Sequence, residues 1–291
     1  MIRKDLLHIT KDYFKAQGIP TADADLLLAH LLDCSKGEVQ LKLFKLDDEQ
    51  TRELDRELRR LVLRRQNGEP TQYIIGSAPF RYIDLKVGPG VLIPRPETET
   101  LVELVKNRIA ELDPAALVGP VEIIDLGAGS GCISISLAHE ACAQPVKVTA
   151  VEKSAEAFEW LVKNVVSHGV EVETINADIV DACQDERFDI VVSNPPYIPR
   201  SQVLPVNVRF EPEVALFGGP DDGMEIPTQF IEHAARLLKC GGFLALEHHE
   251  EQAELITQVL DQDFSEIKSL RDLTGRPRFT TAIRKKRLSE K

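Results

Sequence analysis

From Pro120 onward the chain alternates apolar strand-like runs with helix-like ones, and this alternation limits the possible folds more than any other feature. Val121-Glu122-Ile123-Ile124-Asp125 reads as a strand, and Cys132 to Cys142 as the helix after it. Val146 to Glu152 is the next strand, followed by a helix from Ser154 to Gly169 that Ser154 caps. Val172 to Asn176 and Asp189 to Ser193 are two further strands. A helix from Pro227 to Lys239 ends at Gly241-Gly242, and a strand from Phe243 to Glu247 and a helix from Glu250 to Leu260 follow. Strand-like runs at Ile267 to Leu270 and Phe279 to Ile283 close the pattern, and the charged tail Arg284 to Lys291 is expected to fray. Strands joined through helices run parallel, so the fold class is α/β with a doubly wound, mostly parallel sheet.

Open sheets of this kind bind ligands beyond the carboxyl ends of their strands, which makes the residues there candidates for function. The first strand runs into Asp125-Leu126-Gly127-Ala128-Gly129-Ser130-Gly131. Its alternating glycines let the backbone turn sharply and bring a ligand against main-chain N–H groups at a helix start. The spacing is G-x-G-x-G and not the dinucleotide G-x-G-x-x-G, which favours a smaller nucleoside ligand over NAD and disfavours a dehydrogenase. The second strand ends at Glu152-Lys153, and its carboxylate can accept both hydroxyl hydrogens of a ribose. The third reaches Asp178-Ile179, an acceptor for an adenine amine beside an apolar contact for its ring. The fourth ends at Ser193-Asn194-Pro195-Pro196-Tyr197. Two successive prolines remove two N–H donors, so side-chain and backbone carbonyls stand free to accept from an N–H2 group, with an aromatic ring beside them.

The region before the sheet is different. Residues 1 to about 70 are rich in helix formers, with helices at Ala22 to Leu32 behind a Thr21 cap, Leu41 to Leu46 and Asp47 to Arg65. In the last of these, Arg59, Arg60, Arg64 and Arg65 read as a solvated face paired to Glu53 and Glu57. Gly68-Glu69-Pro70 ends that helical region. Tyr73 to Gly76, Phe80 to Tyr82 and Leu85 to Val87 then read as short strands of a hairpin. Val91-Leu92-Ile93 reads as a strand end running into Pro94-Arg95-Pro96-Glu97-Thr98-Glu99, with Thr98 or the neighbouring acids starting a helix from Leu101 to Leu112. A linker with a helix cap and a loop folded over a pocket both fit that segment.

Composition narrows the partners. With 35 Lys and Arg against 47 Asp and Glu, the net charge is −12, which opposes non-specific binding to nucleic acid or anionic membranes. The five cysteines have no metal-type spacing, so buried or free thiols in a reducing cytosol and no metal site are expected. The N-terminus lacks a signal-peptide core and no apolar run is long enough to span a bilayer, so a cytoplasmic protein is expected. Glu247-His248-His249 has no third ligand at suitable spacing and reads as structural or pocket-edge.

Taken together, D-L-G-A-G-S-G, N-P-P-Y-I, I-P-R-P-E-T-E from Ile93 to Glu99 and Arg209-Phe210-Glu211-Pro212 resemble the PrmC/HemK family of peptide chain release factor glutamine methyltransferases. Gly242 to His248, Asp272-Leu273-Thr274-Gly275-Arg276 and the helical N-terminal region fit it too. The resemblance implies a Rossmann-like class I methyltransferase with a mostly parallel seven-stranded sheet. It implies domains at 1–70 (helical, substrate-recognising), 71–94 (hairpin linker) and 95–291 (catalytic). S-adenosyl-L-methionine would be held by Asp125, Gly127, Ala128, Gly129, Ser130, Gly131, Glu152, Lys153, Asp178, Ile179 and Asn194. The acceptor would be the Gly-Gly-Gln glutamine of class I release factors, met by Arg95, Glu97, Asn194, Pro195, Pro196 and Tyr197, with Asn194, Pro195 and Tyr197 catalytic. A monomer is expected. Glutamine methylation of a ribosomal protein, adenine amino methylation of nucleic acid and a non-catalytic binding scaffold are the alternatives.

Overall fold

The computed structural model describes residues 5–116, 118–140, 142–183 and 188–286; residues 287–291 of the expected tail and residues 1–4 lie outside that set. Two compact units emerge, Met1–Ser77 with Leu204–Phe210, and Ala78–Val203 with Glu211–Lys291.

The first unit is helical: α1 (Leu6–Ala16), α2 (Ala22–Leu31), α3 (Val39–Lys45), α4 (Asp48–Gln66) and α5 (Thr71–Ile75). Leu7, Phe14, Leu27, Leu28, Leu43, Leu54 and Leu58 form its core. Asp47 caps α4 by accepting from Glu49 and Gln50 N–H, whereas Thr21 has helical backbone angles and makes no side-chain cap. Only one of the expected arginine pairings on α4 forms, Arg60 with Glu57 at 3.1 Å. Glu53 is taken by Arg56, Arg59 pairs with Asp55 and Arg64 with Glu69. Arg65 turns inward to Asp23 at 2.7 Å with only 13% of its side chain exposed, so it is no part of a solvated face. Residues Leu204–Phe210 return to this unit from far along the chain. A Cβ added to Gly68, whose φ is +95°, would lie 2.6 Å from Val206 Cγ1.

Tyr73 to Gly76, expected as a strand, is the helix α5 and its cap. Pro70 stands at its N-cap and Gly76 closes it at φ +76°. The hairpin that follows is β1 (Ser77–Phe80) and β2 (Ile83–Lys86), turned at Arg81, and Val91 to Ile93 joins no strand.

The second unit continues with α6 (Glu99–Glu111), β3 (Val121–Leu126), α7 (Cys132–His139), β4 (Val146–Glu152), α8 (Ala155–His168), β5 (Val172–Asn176) and β6 (Phe188–Ser193). After them come β7 (Ile198–Pro199), β8 (Phe217–Gly219), α9 (Glu225–Leu237), β9 (Leu238–Glu247), α10 (Ala253–Leu260), β10 (Phe264–Arg271) and β11 (Pro277–Arg284). The large sheet has seven strands in the order β10-β11-β9-β6-β3-β4-β5. Its strands are parallel except β11, which runs antiparallel to both β9 and β10. Successive residues face opposite sides. Ile123, Ile190 and Val192 pack with Val102, Val105, Ile109 of α6 and Ile133 of α7. Ile124 and Val191 pack with Phe230 and Ile231 of α9 and Ile256 and Leu260 of α10. Burial on both faces explains the near-continuous apolar strands.

Several boundaries differ from expectation. α7 stops at His139, and β9 starts at Leu238, so Gly241-Gly242 lies inside the strand instead of after the helix. Arg284 is no frayed end. It is 5% exposed and its Nε donates to the Ala235 carbonyl at 2.7 Å.

Candidate active site

The carboxyl ends of β3, β4, β5 and β6 open on a cavity of about 480 Å³. Gly127, Ala128, Gly129, Ser130, Glu152, Lys153, Asp178, Ile179 and Asn194 all line it, as do Arg95 and Pro196. Gly131, Pro195 and Tyr197 stand outside the lining, and Glu97 is exposed to solvent and outside it as well.

The glycine turn is tied to β4, since Gly127 and Ala128 N–H both donate to the Val151 carbonyl at 2.9 Å. Gly129 has φ +56°, and a Cβ there would meet nothing within 4 Å, so the turn's free side faces open space. Buried Asn164 of α8 fixes the turn from behind. It donates to the Ser130 and Lys86 carbonyls, both at 3.0 Å, and accepts from Lys86 N–H at 2.7 Å. Asp125 is also behind the turn, 1% exposed, and outside the lining. Its Oδ2 accepts from Ser134 N–H at 3.1 Å, while Oδ1 has no partner, and burial pushes its carboxyl up to about 7.

Glu152 is held at both oxygens by backbone, with Gly129 N–H on Oε2 at 2.8 Å and Ser154 N–H on Oε1 at 2.7 Å. Burial raises its pKa against the pull of those N–H groups. Asp178 and Lys153 pair with each other at 2.6 Å. The hydrogen bond from Lys153 keeps the Asp178 carboxyl below the usual range, and Ile179 is 6% exposed beside them.

At the end of β6, Ser193 Oγ donates to the Leu126 carbonyl at 2.7 Å, locking this strand end to that of β3. Asn194 Nδ2 donates to Thr98 Oγ1 at 3.0 Å, and Thr98 Oγ1 donates in turn to Glu247 Oε2 at 2.7 Å. Tyr197 Oη donates to Glu247 Oε1 at 3.0 Å. Gln252 Nε2 holds the Tyr197 carbonyl at 2.9 Å. Thr98 thus starts α6 without capping it, since its backbone angles are already helical and its hydroxyl is turned to the site.

The Ile93 to Glu99 segment is a wall of the cavity, through Pro94, Arg95 and Thr98. Glu211, 4% exposed, fastens it by accepting from Ile93 N–H at 2.9 Å and from Arg95 Nη2 at 2.7 Å. Thr98, Glu211 and the lining residues Phe217 and Phe230 are not among the expected site residues, and Glu247 is expected only as structural or pocket-edge. Glu247 was visible as one more strand ending in an acid, but its partners lie far away in sequence. His248 is buried, with Nε2 2.9 Å from Thr280 Oγ1, and Glu251 N–H donates to His249 Nδ1 at 3.3 Å. Among the described residues no group of three or more His, Cys, Asp or Glu is placed to hold a metal ion, and no disulfide joins the cysteines. No helix among them is long and apolar enough to cross a membrane.

Comparison with known proteins agrees with this architecture. The Methyltransferase small domain model matches residues 109–208, and the PrmC N-terminal domain model matches residues 5–76. Among solved structures, a 16S rRNA N2 G1207 methyltransferase from T. thermophilus, in complex with AdoMet and guanosine, aligns with a TM-score of 0.50 at 22% identity. That alignment covers 72% of this chain and 50% of the other, and it shows the shared fold. The release factor glutamine methyltransferase of Bifidobacterium longum is 37% identical over 97% of this chain and 100% of its own length. That of Mycolicibacterium smegmatis is 38% identical over 91% of each chain. With the PrmC N-terminal domain matched and the similarity to these relatives running almost end to end, this chain belongs to the release factor glutamine methyltransferase family.

Proposed function

We propose that this protein transfers a methyl group from S-adenosyl-L-methionine to the side-chain amide nitrogen of the glutamine in the Gly-Gly-Gln motif of class I peptide chain release factors. The observation that carries this reading is Asn194. Its nitrogen is engaged by Thr98, so its carbonyl oxygen is the group left for a ligand in the cavity.

The residues present fit the cofactor. The open side of Gly129 leaves room for a ligand to approach the main chain closely. Glu152 is oriented by two N–H groups and retains lone pairs for ribose hydroxyls. Ile179 and Phe230 supply apolar walls for a base. When bound, the cofactor supplies an electrophilic methyl on a sulfonium. Asp178, paired to Lys153, and the glycine turn from Gly127 to Gly131 complete the proposed binding set.

The acceptor nitrogen is a poor nucleophile because its lone pair is delocalised into its carbonyl. Asn194 Oδ1 and the Pro195 carbonyl accept its two N–H hydrogens, which fixes its direction of attack and stabilises the positive charge that develops on it. Tyr197, held by Glu247 and Gln252, packs beside the amide plane. No strong base is required, since the proton can leave to water after transfer. The helical region 1–70 serves to recognise the protein substrate, with 71–94 as linker. The protein acts in the cytoplasm as a monomer without contacting nucleic acid, in keeping with its charge of −12.

The test is to incubate the protein with labelled S-adenosyl-L-methionine and, separately, release factors, ribosomal proteins and DNA, then locate the methyl by mass spectrometry. Label on the Gly-Gly-Gln glutamine is expected, and label only elsewhere overturns the assignment. Asn194→Ala is expected to lower kcat by about 100-fold or more while cofactor affinity by calorimetry stays within about twofold. Retained turnover removes Asn194 from its role.

A further inference from the structure

In the methyl transfer described above, Glu247 serves only to hold Tyr197. Glu247 is 1% exposed, and its two oxygens accept from Thr98 and Tyr197. A buried carboxylate is costly, and an apolar residue would fill the same space without that cost. Proton counting shows what the charge achieves. A threonine hydroxyl has one hydrogen, and an ionised carboxylate can only accept. The Thr98 hydrogen is therefore committed to Glu247, and the atom that Thr98 turns towards Asn194 is an acceptor. Only the nitrogen of the Asn194 amide can face it. Asn194 Oδ1 is thereby turned the other way, and among the described residues it accepts no hydrogen bond.

We propose that Glu247, acting through the Thr98 hydroxyl, is the positioning residue that sets which end of the Asn194 amide meets the substrate, so that the incoming glutamine N–H2 finds an acceptor. The proposal rests on the reading of Asn194 as the amide-binding residue. Without an ionised Glu247, the Thr98 hydrogen is released to rotate towards Asn194. The asparagine amide then flips at little cost, presenting its own N–H2 to the substrate's N–H2. Donor against donor rejects the substrate without moving a backbone atom, because buried polar groups left unpaired are what such sites discriminate by.

The groups facing Glu247 come from several elements: Thr98 before α6, the Cys132 thiol at the start of α7, Tyr197 after β6, Arg278 on β11 and, at longer range, Glu97. Burial pushes its carboxyl up to about 7, against the Thr98 and Tyr197 hydrogen bonds and the Arg278 charge, with Glu97 reinforcing the rise. The orienting charge is thus present above neutral pH and lost below it.

The experiment compares wild type, Thr98→Val, Thr98→Ser and Glu247→Gln. It measures cofactor affinity by calorimetry and kcat on a release factor from about pH 6 to about pH 9. Wild-type kcat is expected to rise through a single ionisation near neutrality. Thr98→Val keeps shape and charge but removes the hydroxyl, and is expected to lower kcat at least about 10-fold with cofactor Kd within about twofold. Thr98→Ser should restore most of that loss. Glu247→Gln should abolish the ionisation near neutrality, a change that packing alone would not cause. If Thr98→Val matches Thr98→Ser, or if the ionisation persists in Glu247→Gln, the proposal is overturned. Should Glu247→Gln fail to fold, the Thr98 pair decides alone, since both substitutions keep the Glu247 side chain and differ in the hydroxyl that reaches it. Asn194→Ala separates the two levels. Turnover retained there defeats the underlying reading, whereas an inactive Asn194→Ala beside a fully active Thr98→Val defeats only the positioning role.

Discussion

Glu152 is a carboxylate that backbone has aimed. Because Gly129 and Ser154 N–H groups occupy one oxygen each, an amide in its place must turn its N–H2 against one of those donors. Glu152→Gln is therefore expected to behave nearly as badly as Glu152→Ala, and each should weaken S-adenosyl-L-methionine binding by about 10-fold or more, since hydrogen bonds to charged groups are worth about 1.5–3 kcal/mol. Isothermal calorimetry checks this, and unchanged affinity removes the ribose role. Gly129 was legible in the sequence because its role is local, a turn between a strand and a helix. Glu152 was legible for a similar reason, as the next strand end along the sheet edge. The chain Asn194 to Thr98 to Glu247 was not, because its links join residues 96 and 149 positions apart. Thr98 also sits where a helix cap is expected. Local pattern assigned it that duty, and a long-range acceptor claims the hydroxyl instead.

Elements show the same division between local and distant causes. β3 to β6 were readable because apolar runs between turn signals leave little choice once both faces are buried. Tyr73 to Ile75 misled, because a short apolar run has no period to reveal; the Pro70 start and left-handed Gly76 end make it a helical turn. The hairpin after it depends on Arg81, which bends at φ +50° and ties three elements together. Its N–H donates to Glu99 Oε1 at 2.9 Å, and its guanidinium reaches Glu103 at 3.2 Å and Glu140 Oε2 at 2.8 Å. Arg81→Ala leaves Glu140, whose side chain is 6% exposed, with only Lys106. Because Lys106 still compensates that charge, the expected loss is about 1.5–3 kcal/mol in urea denaturation, the worth of a hydrogen bond to a charged group. The β7–β8 pair is limited by close approach. A Cβ at Gly218 would lie 2.1 Å from the Gly223 carbonyl oxygen and 2.7 Å from Tyr197 Cα. Gly218→Ala is accordingly expected to shift the Asn194 to Tyr197 loop, lowering stability by about 1–3 kcal/mol and reducing kcat, as a melt and a turnover assay would show.

For the whole molecule, two buried carboxyls bias the dependence of stability on pH. Burial pushes the carboxyls of both Asp125 and Glu247 up to about 7, well above the ordinary carboxylate range. A folded pKa raised above the unfolded one means the native state holds the proton more tightly. Their contribution is complete below the unfolded values and is lost as pH rises through about 7. Asp272 has the opposite sign. The Thr274 hydroxyl holds it down to about 2, so its contribution is present at ordinary pH and lost only in strong acid. The melting temperature should therefore fall between about pH 5 and about pH 8, and Asp125→Asn with Glu247→Gln should flatten that slope. A slope unchanged by the double substitution would assign the effect to the net charge instead. The return of Leu204–Phe210 to the helical unit bears on how the protein is made. Residues up to Ser77 leave the ribosome early, yet the stretch that packs Val206 against Gly68 is synthesised only after β3 to β6. A nascent chain halted before Phe210 holds an unfinished helical unit, so its last contacts form late in synthesis although its sequence comes first.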